Sequence, residues 1–312
     1  MIVVERYRPD MTACWNLFVP ESRNGTFLLD RRYMEYHQDR FTDHSLVFRD
    51  ADGSTVGLLP ANECSGALHS HQGLTYGGLV IGPTSGSVAV LDMFTALCNY
   101  MRMHGLSTLH YKTIPWIYHR LPAEEDRYAL FRTGARLVRR DVLSVVPRFE
   151  RLPYQGRRLR GVKSAQKAGV EVLESSDYAG FWMILEDNMR MRHGVSPVHT
   201  LADMDLLHGR FPESIRLFVA RCDGEVVAGT VVYESHRVAH VQYISANDAG
   251  RRHHALDRLF DHLLVDVYPN KDYFDFGISN EAQGRVLNAG LVEQKEGFGA
   301  RAVVHDHYEL VI

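Results

Sequence analysis

The sequence predicts an α/β chain layered in the α+β manner: two tandem domains of one plan, each a mixed, mostly antiparallel sheet flanked by helices. Three observations carry this expectation. LVFRDADGSTVGLLPA at 46–61 and LFVARCDGEVVAGTVV at 217–232 each hold an apolar run, an Asp-Gly pair and a second apolar run. Asp-Gly between strand-like runs marks a hairpin, because the turn wants positive φ, which glycine adopts without strain. The elements that follow the two hairpins succeed one another in the same order, which reads as an internal duplication. The length, 312 residues with 45% hydrophobic content, suits two cores, since domains run to about 100–150 residues each.

After the first hairpin, TYGGLVIG (75–82) reads as a strand, SVAVLDMFTALCNYMRMHG (87–105) as a helix and STLHYKTIP (107–115) as a strand. AEEDRYALFRTG (123–134) then reads as a helix and RRDVLSVVP (139–147) as a strand. In the second half VEVLES is a strand, and DYAGFWMILEDNMRMRHG a helix stopped by Gly194. TLADMDLLHGRF is a helix capped by Thr200. Beyond the hairpin come a strand at 239–246, a helix at 250–268, a strand at 271–279, a helix at 280–290 and a closing strand at 300–312. Pro153 and Gly156 punctuate the join, so the domains are expected at 1–150 and 156–312.

Composition removes several function classes. A net charge of −3 gives no electrostatic footprint for nucleic acid, and RRLRGVKSAQK at 157–167 reads as a solvated helix face. The four cysteines, Cys14, Cys64, Cys98 and Cys222, are scattered, which suits a reducing cytoplasm rather than a disulfide framework. MIVVERYRPD has no apolar core of a signal peptide, and VAVLDMFTALCNYM is broken by Asp92 and Asn99, so no membrane insertion is expected.

The element order resembles the GNAT acyltransferase fold, and a tandem pair of such domains is similar to the Fem-type peptidyltransferases. The sharpest local match is Gly290, Lys295 and Phe298-Gly299, where the family tends to carry Gly, then Lys, then Phe-Gly after its last helix. The resemblance implies that strands four and five of the C-terminal domain splay and hold the amide-bearing arm of a donor. It also implies that the next helix N-terminus faces the donor's pyrophosphate. The family's loop there, Arg/Gln-x-x-Gly-x-Gly/Ala, is replaced by ANDAGRRHHAL with the single Gly250, and by IGPTSGSVAV in the first half. Leu287 and Leu291 stand where a catalytic Tyr is usual.

Acyl transfer to an amine needs a neutral amine, a polarised carbonyl and a proton for the leaving group. Asp275, Lys295 and His240 are the candidate catalytic residues. Asp275 sits between buried aromatics in FDFG, where an unpaired carboxylate is costly, so it pairs with Lys295 or takes the proton of the amine. His240 is a base or a backbone-bonded core histidine. Tyr243, Gly250, Arg251, Arg252, Ser279 and Asn280 are expected at the donor, with Ser279 and Asn280 alternatively capping the helix at 280. Tyr76, Lys112, Tyr118, Arg192, His193, Gln242 and Glu281 are expected at the acceptor, Trp116 lying beside them. No metal is expected: His305 and His307 share a strand face, but the sequence shows no third ligand.

These readings give a cytoplasmic, acyl-CoA-dependent N-acyltransferase, with acetyl-CoA or another acyl-CoA as donor substrate. The amine acceptor is a small molecule, an amino sugar or cell-envelope precursor by fold analogy alone. An aminoacyl-tRNA-dependent Fem-type peptidyltransferase is the alternative, and the one case in which a nucleic acid partner is expected. A catalytically inactive GNAT pair acting as a binding module is the third reading.

Overall fold

The computed structural model describes residues 2–312, the side chains of Arg192 and His193 excepted. The chain divides into two compact units: unit 1 is Met1–Asp141 with Asn280–Val286 and Val304–Ile312, and unit 2 is Val142–Ser279 with Leu287–Val303. A single cut near 150 was expected. Residues 304–312 instead belong to unit 1, because His307–Val311 pair antiparallel with Lys112–Thr108 there.

Unit 1 begins with β1 (Val3–Arg6), α1 (Thr12–Glu21), α2 (Arg31–Met34) and β2 (Thr42–Asp43). The hairpin of β3 (Leu46–Arg49) and β4 (Thr55–Leu59) forms as expected, with Gly53 at φ 81° in its turn. Next come β5 (Asn62–Cys64), β6 (Ala67–His69) and β7 (Val80–Ile81). The strand expected over 75–82 is only β7, since Tyr76 is built into a loop and hydrogen-bonds Thr26. Helix α3 (Ser87–Met103) buries Val90, Met93, Phe94, Leu97 and Met101, the spacing of one helix face. Then follow β8 (Thr108–Lys112), α4 (Glu125–Arg132) and β9 (Arg136–Pro147), whose residues from Val142 onward lie in unit 2.

Unit 2 continues with α5 (Gly156–Lys167), β10 (Glu171–Ser175), α6 (Tyr178–His193) and α7 (Leu201–Arg210). Gly194 ends α6 in the left-handed conformation, and Thr200 and Asp203 form a capping box on α7, both as the sequence indicates. The hairpin of β11 (Ile215–Cys222) and β12 (Glu225–Glu234) turns on Asp223 and Gly224, both at positive φ. Next is β13 (Val238–Ala246). The helix expected over 250–268 is broken: α8 (Asp248–Arg252) stops and α9 (Ala255–His262) restarts at His254, which sits at φ 54°.

Strand β14 (Tyr273–Ile278) precedes the largest departure from expectation. Residues 280–288 form no helix. Instead β15 (Asn280–Glu281) and β16 (Val286–Leu287) make a small hairpin, with Ala282, Gln283 and Gly284 all at positive φ. Three consecutive residues in that region cannot belong to a right-handed helix. The helix, α10 (Ala289–Glu296), starts later, with Asn288 as its cap, and β17 (Arg301–Val311) closes the chain.

Within unit 2 the strands lie in the order β10-β11-β12-β13-β14-β9. Phe274 and Phe276 of β14 join Phe260 of α9 and Phe298 in one core, with Phe276 stacked on Phe298 at 5.7 Å. Burial of each such side chain contributes roughly 1.5–3 kcal/mol. The pleat then turns Asp275, between the two phenylalanines, to the opposite face of the sheet.

Candidate functional site

Strands β13 and β14 run parallel, yet they pair over three positions only: Val238 with Tyr273, Ala239 with Phe274 and His240 with Asp275. Beyond that pair β13 runs on to Ala246 and β14 to Ile278 without pairing further with each other, so the two strands part. His240 and Asp275 therefore mark the apex of a splay. Their side chains share one face, as register partners do, and His240 Nδ1 lies 2.9 Å from Asp275 Oδ2. Asp275 is fully buried and its Oδ1 accepts the Gly277 amide at 2.7 Å. The expected ion pair with Lys295 gives way to a bond with the histidine, since the lysine's donors go to Gly277, Ile278 and Ser279.

Lys295 comes from the last turn of α10 and reaches the far side of the same turn of chain. Its ammonium donates to the carbonyls of Gly277 (3.0 Å) and Ile278 (2.7 Å) and to Ser279 Oγ (2.9 Å). Those three bonds use all the donors of a lysine. Burial lowers its pKa to about 8, with Asp275 pulling the other way. Lys295 thus holds the end of β14 in its parted position, and Ser279 is its partner rather than a helix cap. Asn280, the other expected cap, donates to the Gly284 carbonyl within the hairpin.

Just past the apex β13 bulges. Val231 of β12 pairs with Tyr243 and Val232 with Val241, leaving Gln242 as the extra residue. The alternation of side chains along β13 is broken there. Tyr243 Oη meets His199 Nδ1 at 2.6 Å, and Trp182 of α6 packs edge-on against its ring at 5.2 Å. Burial pushes the Tyr243 phenol up to about 12, against the His199 amide and Gln242, which lower it. Gln242 Oε1 and Trp182 Nε1 are buried without a hydrogen-bond partner. Sequence reasoning missed His199 and Trp182; the signal for each was its closeness to a helix end or core stripe.

At the open end of β13, α6, the β11–β12 turn and α8 enclose a cleft of about 750 Å³. Asp177, Asp187, Glu225 and Asp248 line it, with Arg221 and Arg251. Arg251 is bound to Asn188 Oδ1 at 3.2 Å, to the Ala246 carbonyl and to Asp248. Gly250 gives its amide to the Asn247 cap at 2.9 Å, and a Cβ there would meet the Val227 carbonyl at 2.2 Å. The glycine is thus demanded by packing. Arg252 is exposed.

The expected acceptor residues are less concentrated. In unit 1 Tyr76 and Tyr118 are buried against each other, ring centroids 4.6 Å apart, and Lys112 Nζ donates to the Leu74 carbonyl. Burial, then the charge of Arg139, lowers the Lys112 pKa to about 7. Glu281 is exposed on the small hairpin. The side chains of Arg192 and His193 lie outside the described residues.

Residues 155–283 match the family model described as an acetyltransferase (GNAT) domain. The fold is similar to that of FemX, with a TM-score of 0.70 at 10% identity over 99% of this chain and 97% of that one. It is similar to L-PGS from Bacillus licheniformis, at 0.60 and 12% identity over 97% of this chain and 90% of that one. It is also similar to a tandem GNAT protein from the clavulanic acid biosynthesis pathway, at 0.52 and 12% identity over 99% and 98%. No curated protein matches the sequence. The expected fold class and resemblance are borne out: the chain is mixed α/β, GNAT-like and tandem in the FemAB-like manner. Among the described residues no helix is long and apolar enough to cross a membrane.

Proposed function

We propose that the chain is an N-acyltransferase that moves an acyl group from an activated carrier to a small-molecule amine, with its chemistry in unit 2. One observation carries the reading. The parallel strands part at His240 and Asp275, which puts a carboxylate-oriented imidazole at the apex of the opening between them. An extended, amide-bearing carrier arm fits between parting strands, because it can pair with the side of β13 that β14 no longer covers. Gln242 Oε1 and Trp182 Nε1 offer such an arm an acceptor and a donor beside the bulge.

In this reading Asp275 accepts from His240 Nδ1–H and fixes the tautomer, so Nε2 carries the lone pair. Nε2 takes a proton from the attacking amine as its nitrogen bonds to the acyl carbon. The carrier departs with the electron pair of the broken bond and receives the proton. Lys295 is a positioning residue here, since its donors are committed to Gly277, Ile278 and Ser279.

For the donor, the GNAT match over residues 155–283 supports an acyl-CoA. A specific observation favours the aminoacyl-tRNA reading beside it. The cleft at the end of β13 holds four carboxylates against two guanidiniums; with Asp248 paired to Arg251 and Asp187 to Arg190, Asp177 and Glu225 still outnumber Arg221. A pyrophosphate gains little there, whereas the ammonium of an aminoacyl ester is well met. Calorimetric titration of acetyl-CoA and CoA into the purified chain separates the two. Micromolar binding at one site supports a CoA donor. No binding at millimolar ligand, with binding of an aminoacyl-tRNA, supports the second. Failure of both overturns the acyltransferase reading.

A further inference from the structure

We infer that unit 1 contains a divalent-metal site, of a kind that takes zinc, formed by Asp141, His305 and His307. The two histidines are two apart on β17, so the pleat gives them one face. The third ligand, absent from any local sequence pattern, is supplied by the neighbouring strand β9. One ligand atom from each of the three lies within 4.8 Å of the others. His307 Nε2 is 3.5 Å from Asp141 Oδ2. Ligands at about 2.0–2.1 Å from a tetrahedral zinc stand roughly 3.4 Å from one another, so side-chain movements on the order of 1 Å close the site.

The surroundings are those of ligands rather than of core residues. Asp141 Oδ1 and His307 Nε2 are buried and have no hydrogen-bond partner. A carboxylate oxygen left in that state is costly, and a cation removes the cost. His305 Nε2 donates to the Thr113 carbonyl at 2.9 Å, which leaves Nδ1 as the ligating nitrogen. Metal-binding histidines are oriented in just this way by a carbonyl on the other ring nitrogen.

Arg139 approaches Oδ2 from Nε and Nη2, both at 2.8 Å, so Oδ1 is the oxygen available to the ion. The adjacent guanidinium also weakens the site, so micromolar rather than nanomolar affinity is expected. Three protein ligands leave a fourth position for water or another small ligand.

The test uses the untagged, chelator-treated full chain, titrated with Zn2+ by calorimetry and with Co2+ by visible absorption. One equivalent should bind, with cobalt showing the intense bands of a tetrahedral centre. His307→Ala should weaken binding at least tenfold, whereas His262→Ala, on α9 in unit 2, should leave it unchanged. Thermal melting checks that each variant folds, and His307→Gln serves if the alanine variant does not. The inference is overturned if no stoichiometric binding occurs at millimolar Zn2+, or if binding persists undiminished in both His307 variants. Neither outcome depends on the transferase reading of unit 2.

Discussion

His240 and Asp275 are the last register partners of β13 and β14, and their side chains meet there at 2.9 Å. Backbone pairing thus ends at the same position where a side-chain pair begins. The carboxylate is placed to choose the imidazole tautomer, and an amide in its place offers the wrong group to Nδ1. Asp275→Asn should lower turnover by roughly 10²–10⁴-fold. Nitrogen NMR of the His240 ring should show a protonated Nδ1 in the parent and a changed tautomer in the variant. An unchanged ring spectrum with full activity would make the pair purely structural.

Lys295→Met keeps the bulk of the side chain and removes its three donors. Two carbonyls and a hydroxyl, on Gly277, Ile278 and Ser279, then lose their partner. A loss of about 1–3 kcal/mol is expected for each group left buried and unsatisfied, partly recovered by relaxation. Denaturant unfolding should show a lower midpoint at constant slope. Retention of the parent midpoint would mean that the end of β14 needs no such anchor.

Acid should destabilise the fold through histidines kept neutral in unit 1. Burial, with the charges of His37 and Lys112, lowers the pKa of His71 to about 3, and Asp43 and Arg31 also act on it. Burial lowers His119 to about 4; its bond to the Ile114 carbonyl and Glu125 oppose this, and Arg127 and Arg23 add to it. Both folded values lie below the unfolded value of 6.5. Their stabilising contribution is therefore complete above pH 6.5 and is lost as pH falls towards 3–4. Melting temperature should fall as pH is lowered through this window, and His119→Gln should flatten the fall.

Gly250→Ala places a methyl group 2.2 Å from the Val227 carbonyl. The expected cost is about 1–3 kcal/mol, read by thermal or denaturant melting. Arg252→Ala on the exposed side of the same short helix should stay within about 0.5 kcal/mol. Equal melting of the two variants would show that α8 gives way freely at Gly250.

Much of the scaffold was legible because its signals are local. The Asp-Gly turns, the Thr200 cap and the Gly194 stop each need only a few residues to act. The helix assigned to 280–290 failed because Glu-Ala-Gln has helical propensity but no apolar stripe to pack, and the chain there adopts a left-handed turn through Ala282, Gln283 and Gly284. Asp275 was recognised as an unusual buried carboxylate, yet its bond to His240 was not foreseen. Strand register between β13 and β14 decides it, and no stretch of sequence records that register. Asp141 beside His305 and His307 was invisible for the same reason.

The division of the chain also orders its synthesis. Unit 1 is mostly made early, but β8 waits for residues 304–312, which leave the ribosome only after nearly all of unit 2. Until then β8 lacks a neighbour along one side, a state prone to mispairing with other chains. The unit translated first is therefore the last one finished, and a nascent chain arrested near residue 300 should need chaperone protection that the released chain does not.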